Sequence, residues 1–235
     1  MRIDKFISSQ RTDLSRADVK KLIRAGRVTA DGKAVKNADM HVTENTAVCV
    51  DGAPIVYREH LYLMLNKPQG YVCSAREGKS PVVAELVPPE LRRSGLFPAG
   101  RLDKDTEGFV LMTDDGALAH EMLSPVKHVP KTYFVRLEKP FREEYIPLFA
   151  SGMTIDGGEV CLPAELTPDP EDPFACTLIL HEGKFHQVKR MFAAAENHVC
   201  YLKRIRIGDL VLDPKLPLGG CLEIMHKDIK KLLLQ

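Results

Sequence analysis

Residues 100–108, GRLDKDTEG, crowd three carboxylates (Asp103, Asp105 and Glu107) and two bases (Arg101 and Lys104) between two glycines. Such a group can hold a cation, face solvent as a charged turn, or present an ionised carboxylate to a substrate. Counted from Asp103, acids fall at positions 1, 3, 5 and 12 with Gly108 at position 6, which nearly matches an EF-hand calcium loop. An EF-hand loop must lead into a helix, yet FVLMT (109–113) reads as an apolar strand. Position 12 is Asp114, where the longer glutamate normally reaches the ion with both oxygens. A zinc reading of HEGKFH (181–186) fails on spacing, because its histidines are five apart across Gly183 and HExxH needs them four apart on one helical face. No metal is expected. Phosphate-loop and dinucleotide fingerprints are absent, so no cofactor is expected either. Against a merely solvated loop stand Arg101 and Lys104, which can neutralise part of the cluster, and two glycines that let the backbone turn tightly and approach a ligand. A carboxylate displayed on such a turn, ahead of a buried strand, suits catalysis.

The chain that must position this turn has 235 residues, 44% of them hydrophobic, enough for one large or two modest domains with a real core. No apolar run exceeds about five residues, far short of the ~18 needed to span a bilayer. The opening MRIDKFISSQ is charged where a signal peptide is apolar, so a cytoplasmic protein without a membrane partner is expected. Six dispersed cysteines with no CxxC pair predict reduced, mostly buried thiols rather than a disulfide framework. Net charge is only +1, but residues 1–36 hold ten Lys and Arg against four Asp, so a basic module precedes a mildly acidic body.

In that module, LSRADVKKLIRAG (14–26) predicts a helix. Ser15 is its N-cap with Asp18 three residues on, Val19, Leu22 and Ile23 share a face, and Gly26 ends it. Arg16, Lys20 and Arg24, four apart, form a stripe along it. Ile3, Phe6 and Ile7 suggest a shorter helix packed against it, and Asp31-Gly32 within RVTADGKAV (27–35) predicts a hairpin, with a second Asp-Gly at 51–52. A basic stripe on one helix is usually a solvated face; the bias of the whole segment favours a phosphate track. From residue 61 short strands alternate with Pro and Gly turns: 61–66, 109–113, 132–138, 175–181 and 201–207. Helices are expected at 116–123, stopped by Pro125, at 142–150 despite Pro147, and at 186–197, with TPDPEDP (167–173) as a surface loop. Strands outnumber helices without a βαβ repeat, which predicts an α+β domain on a mixed, mostly antiparallel β-sheet.

RIDKFIS, SRADVKKLIRAGRVTADGKAV and VCVDG resemble the S4 RNA-binding domain. GRLDKDTEG with FVLMTDDG resembles the signature of pseudouridine synthases. Together with LNKPQGYVCS, KTY (131–133) and EGKFHQVKRMFAAAENHV, it resembles the RsuA type, which acts on small-subunit rRNA. Four motifs stand in the family's order over nearly the whole chain, departing only in Phe109 for Leu and Phe185 for Tyr. The resemblance implies an S4-like domain over residues 1–58 and a catalytic domain over 59–235.

It also implies that a specific uridine of 16S rRNA is isomerised to pseudouridine, on naked rRNA or on a small-subunit assembly intermediate, by a monomer without cofactor. By match to the family, Asp103 is the catalytic nucleophile or base, Tyr133 stacks on the uracil and assists proton removal, and Lys189 keeps Asp103 ionised, with Arg190 the alternative. Asp105 and Glu107 are then supporting residues. The target base must be flipped out of the folded RNA. Candidate RNA contacts are Arg2, Lys5, Arg16, Lys20, Lys21 and Arg24 in the first module. Around the carboxylate they are Arg101, Arg190 and Arg204, the last alternating with Ile205, Arg206 and Ile207 so that its base and Arg206 share one strand face. His120, His128, His186 and His198 default to structural or RNA-contacting roles. The competing expectations are a 23S rRNA synthase of the same superfamily and a non-catalytic S4-type ribosome-assembly factor.

Overall fold

The computed structural model describes residues 1–11, 13–74, 80–124 and 126–233, which group into two units: residues 1–61 with 87–96, and residues 62–86 with 97–235. In the first, helices α1 (Ile3–Gln10) and α2 (Arg16–Arg24) precede strands β1 (Val28–Ala30), β2 (Lys33–Ala34), β3 (Val48–Val50) and β4 (Ala53–Ile55). The strands form an antiparallel sheet in the order β2-β1-β3-β4. Ser15 caps α2 by accepting the Asp18 amide at 3.2 Å. Asp31-Gly32 and Asp51-Gly52 take the positive φ angles of two-residue hairpin turns. Ile3, Phe6, Ile7, Val19 and Ile23 pack with Val28, Val48 and Val50, each at most 3% exposed. Each such burial contributes about 1.5–3 kcal/mol.

The second unit contains β5 (Tyr62–Lys67), β6 (Phe97–Ala99), β7 (Glu107–Thr113), α3 (Gly116–Leu123), β8 (Lys131–Leu137), α4 (Tyr145–Ala150), β9 (Glu165–Pro168) and β10 (Ala175–Leu180). There follow α5 (Gln187–Ala194), β11 (Val199–Ile207), β12 (Leu210–Val211), β13 (Cys221–Glu223) and α6 (His226–Ile229). Its sheet runs β13-β5-β7-β11-β8-β10-β9, with β6 also on β7 and β12 also on β11. Among the described strands only β7 and β11 pair in parallel, so the α+β architecture with a mixed, mostly antiparallel sheet is the one observed.

Several local expectations change. Strand β9 extends into the anticipated loop and takes in Thr167 and Pro168; it lies at the edge of the sheet, where a residue without an N–H is tolerated. Helix α4 accommodates Pro147 because the proline sits in its first turn, where the amide has no intrahelical acceptor. Pro125 lies outside the described residues. Only Cys161 and Cys176 are fully buried; the other four cysteines lie on partly exposed strands and loops, so mostly buried thiols was too strong an expectation. No described helix is long and apolar enough to cross a membrane.

Two features fix the acidic turn to this sheet. The first is Lys67, at the end of β5 and 0% exposed. Its ammonium donates to the carbonyl oxygens of Pro68 (3.1 Å), Asp103 (3.0 Å), Lys104 (3.3 Å) and Thr106 (2.7 Å). Burial pushes this ammonium below the usual lysine range, and the neighbouring Asp105, Asp103 and Glu107 carboxylates offset part of that shift. The second is Gly108, at φ +102°, where a Cβ would lie 2.2 Å from the Arg204 carbonyl oxygen. Only a glycine lets β7 approach β11 this closely. Tyr201 on β11 closes the same junction by donating to Glu107 Oε2 at 2.7 Å.

Gly108→Ala is therefore expected to lower the unfolding free energy by about 2–4 kcal/mol in urea titrations, through strain and overpacking together. Lys67→Met, which strands several carbonyls, is expected to lower it by about 1–3 kcal/mol. It should also speed hydrogen exchange at the Thr106 amide, which the Asp103 carbonyl holds at 3.1 Å.

Candidate active site

Asp103 stands on the turn between β6 and β7, with its backbone gripped by Lys67 as described. Its Oδ2 lies 3.3 Å from Lys189 Nζ, and its Oδ1 lies 3.6 Å from His186 Nε2. The Lys189 ammonium also meets Asp105 Oδ1 at 2.5 Å, so one cation serves two acids of the cluster. Burial alone would raise the Asp105 carboxyl, but the hydrogen bond and charge of Lys189 outweigh it and hold that group below the usual carboxylate range.

Lys189 comes from α5, which His186 introduces in a left-handed conformation, φ 50° and ψ 31°. Non-glycine residues held in this region are uncommon and cluster at functional sites. Successive helical residues point about 100° apart, so Arg190 faces elsewhere. It bonds Asp156 Oδ1, the Asp156 carbonyl (2.6 Å), Glu159 Oε2 (2.5 Å) and the Phe185 carbonyl (3.1 Å). Lys189 is thus the residue that reaches Asp103. Arg190 is not a free phosphate contact, because four local acceptors, two of them carboxylates, already engage its guanidinium.

Asp103 opens onto a cleft of about 570 Å³, within the range typical of small-molecule sites. Tyr133, on β8 and 8% exposed, lines it together with Leu102, Lys131, Leu202, Lys189 and Arg204. Arg204 departs from its expected place. A register irregularity between Arg204 and Arg206 breaks the alternation of β11, so Arg204 is 4% exposed opposite Tyr133, while Arg206 pairs with Asp209. Arg204 is a lining residue of the cleft and not an exposed phosphate contact. Arg101 is exposed beside the cleft and has no carboxylate partner among the described residues.

In the N-terminal unit the basic residues divide into two groups. Asp4 is buried, and Arg2 (3.2 Å) and Arg16 (2.8 Å) both pair with it. Burial would raise its carboxyl, but the two guanidinium groups lower it overall. Lys21 pairs with Asp18 at 3.0 Å. Lys5, Lys20 and Arg24 are exposed with no carboxylate partner among the described residues, so the free positive charge is narrower than the sequence stripe suggested.

Three residues of the site escaped sequence reasoning. Lys67 had a signal, a lone lysine closing the apolar run LYLMLNK, which is buried on both faces. Lys131 and His186 stand inside the KTY and HQVKRM motifs, but neither was assigned to the site, since only the fold brings them to the cleft and to Asp103. Among the described residues no three His, Cys, Asp or Glu side chains gather as a metal site.

Residues 61–194 match the model of the RNA pseudouridylate synthase family, and residues 1–54 match that of the S4 domain. An RNA pseudouridine synthase of Bacillus subtilis is 44% identical over 232 residues, covering 97% of each chain. Ribosomal small subunit pseudouridine synthase A of Yersinia pestis is 44% identical over 221 residues, 93% of this chain and 92% of that one. The Escherichia coli K12 protein of the same name is 42% identical over 231 residues, 97% and 98% of the two chains. A crystal structure of a pseudouridylate synthase superposes with a TM-score of 0.68 at 38% identity, over 99% of both chains. With similarity of this extent joined to a fixed acid beside a cleft, the chain belongs to the RNA pseudouridylate synthase family and begins with an S4 domain.

Proposed function

We propose that this protein isomerises a specific uridine of 16S ribosomal RNA to pseudouridine, with Asp103 as the reacting carboxylate. The observation that carries the reading is the contact of Asp103 with Lys189 and His186 at the cleft that Tyr133 lines. The preference for 16S rRNA rests on the relatives of 42–44% identity whose names specify the ribosomal small subunit. Such a substrate puts the protein in the cytoplasm, with naked rRNA or a small-subunit assembly intermediate as its partner.

The reaction breaks the N1–C1′ bond, turns the base, joins C5 to C1′ and releases the C5 hydrogen. Asp103 acts either by attacking C1′ or by removing a sugar proton, and both routes need it ionised. The Lys189 ammonium, 3.3 Å from Asp103 Oδ2, is the cation that faces this carboxylate in the cleft. Tyr133 is positioned to stack on the flipped uracil and to help take the C5 proton. Flipping costs a few kcal/mol, which phosphate contacts made by Lys5, Lys20, Arg24 and Arg101 offset without reading sequence.

With 16S rRNA tritiated at uracil C5, the wild type is expected to release label to water, while Asp103→Asn binds the RNA with unchanged affinity and releases none. Binding without release by both proteins would sink the assignment, and release from 23S rRNA alone would change the substrate. Replacing Lys5, Lys20 and Arg24 together by Gln should weaken rRNA binding and flatten the plot of log affinity against log salt by about one unit for each phosphate no longer neutralised. Filter binding across a salt series measures both.

A further inference from the structure

Among the described residues two cations lining the cleft on the strands, Lys131 and Arg204, have no carboxylate partner, as is also true of the exposed Arg101. Arg204 donates from Nε to the Phe109 carbonyl at 2.8 Å, while its buried Nη2 finds no acceptor among the described residues. Lys131 lies two residues before Tyr133 on β8, so the two side chains share one face of the strand, and both line the cleft. The acids of the cleft are engaged elsewhere. Asp103 is met by Lys189 and His186, whereas Glu182 accepts from Lys184 (3.2 Å), Gln187 (2.7 Å) and the Leu162 amide (2.8 Å). An ammonium and an orphaned guanidinium nitrogen, side by side in a partly dry pocket, await an anion that the protein itself does not provide.

We infer that Lys131 and Arg204 are catalytic residues that stabilise the uracil as an anion at the moment its glycosidic bond breaks. The inference rests on the function proposed above. When the N1–C1′ bond cleaves by either route, its electron pair leaves with the base and spreads from N1 onto O2 and O4. C5 then joins C1′, displacing Asp103 on the nucleophilic route, or on the deprotonation route as Asp103 returns to C2′ the proton it took; the C5 proton departs and N1 regains one, so the net change is isomerisation alone. A fixed pair of donors aimed at those oxygens is worth most in the transition state, because the neutral uridine presents little charge to it. The nearest alternative anion is the phosphate of the same nucleotide. Its charge is present before and after reaction, so a phosphate grip would strengthen binding rather than the bond-breaking step. The adjacency of both cations to Tyr133, which Arg204 faces across the β8 and β11 pairing, favours the base.

Burial pushes the Lys131 ammonium down to about 8, and the charge of Arg204 adds to the shift. The other charged groups lining the cleft are Arg101 and Asp103 from the acidic turn and Glu182, Lys184, His186 and Lys189 from the segment leading into α5. None of them adds to the Lys131 shift, whose causes are burial and Arg204. As pH rises through about 8 the ammonium loses its proton and the Lys131 and Arg204 pair loses one of its charges.

The test measures single-turnover tritium release from C5-labelled 16S and 23S rRNA at saturating full-length protein, with RNA affinity measured in parallel. Lys131→Met should slow release by roughly 10²-fold with affinity unchanged. The wild-type rate should fall as pH rises through about 8, a limb absent from Lys131→Met and displaced upward in Lys131→Arg, which keeps the charge and most of the rate. Arg204→Met removes a buried bond as well, so thermal melts accompany it and the Lys131 pair carries the decision. Unchanged rates in Lys131→Met, or weakened affinity with an unchanged saturated rate, would overturn the inference while leaving the isomerase in place. No release by the wild type from either RNA would overturn the isomerase and the inference together.

Discussion

Four carbonyl oxygens converge on one buried ammonium, and the active turn depends on that convergence. A backbone of residues 103–106 left to itself would turn its polar groups to water and carry Asp103 with them. Lys67 binds three of those carbonyls from inside the protein and the Pro68 carbonyl as a fourth, so the turn is anchored from beneath while its carboxylates face outward. Lys67 can reach this place because β5 is buried along its whole length and ends beside the start of β7. Gly108 completes the arrangement by letting β7 meet β11 at a distance no side chain would permit.

From this anchor the charges of the cleft follow a simple order. One acid of the lining is matched by a base, Asp103 by Lys189, with His186 near its other oxygen. Elsewhere in the lining, Lys131 and Arg204 stand beside Tyr133 on β8 and β11 without a matching acid among the described residues. A cleft built this way favours charge that forms on the substrate during reaction over charge that is present from the start, which is the physical requirement for raising a rate rather than an affinity. Under the proposed function, affinity for the polyanion falls to different residues, the exposed lysines and arginines whose contacts carry no chemical step.

The buried Asp4 in the N-terminal unit illustrates how folding consumes charge that a sequence displays as available. Arg2 and Arg16 look like members of a phosphate track, yet both compensate a carboxylate with no access to water. The same holds for Arg190, which ties the turn at 156–159 to α5. Asp4 lies twelve residues before Arg16, and Asp156 and Glu159 lie more than thirty before Arg190, so for these pairs no periodicity announces the partner.

What the sequence determined by itself was local or pattern-borne: the Ser15 cap and Gly26 stop of α2, the Asp-Gly hairpin turns, the apolar strands, and an acidic turn between glycines ahead of one of them. Those depend on a few neighbouring residues and on backbone sterics that any chain obeys. The motifs also singled out Asp103, Tyr133 and the Lys189-Arg190 pair, but helical geometry could say only that one of the last two would face the acid. Tertiary structure decided which, because the facing direction of α5 depends on how it packs after a left-handed His186. It alone made a buried clamp of Lys67 and drew Arg204 inward through an irregular register. It also left Lys131 without an acidic partner among the described residues, since burial and pairing are properties of distant segments meeting in space.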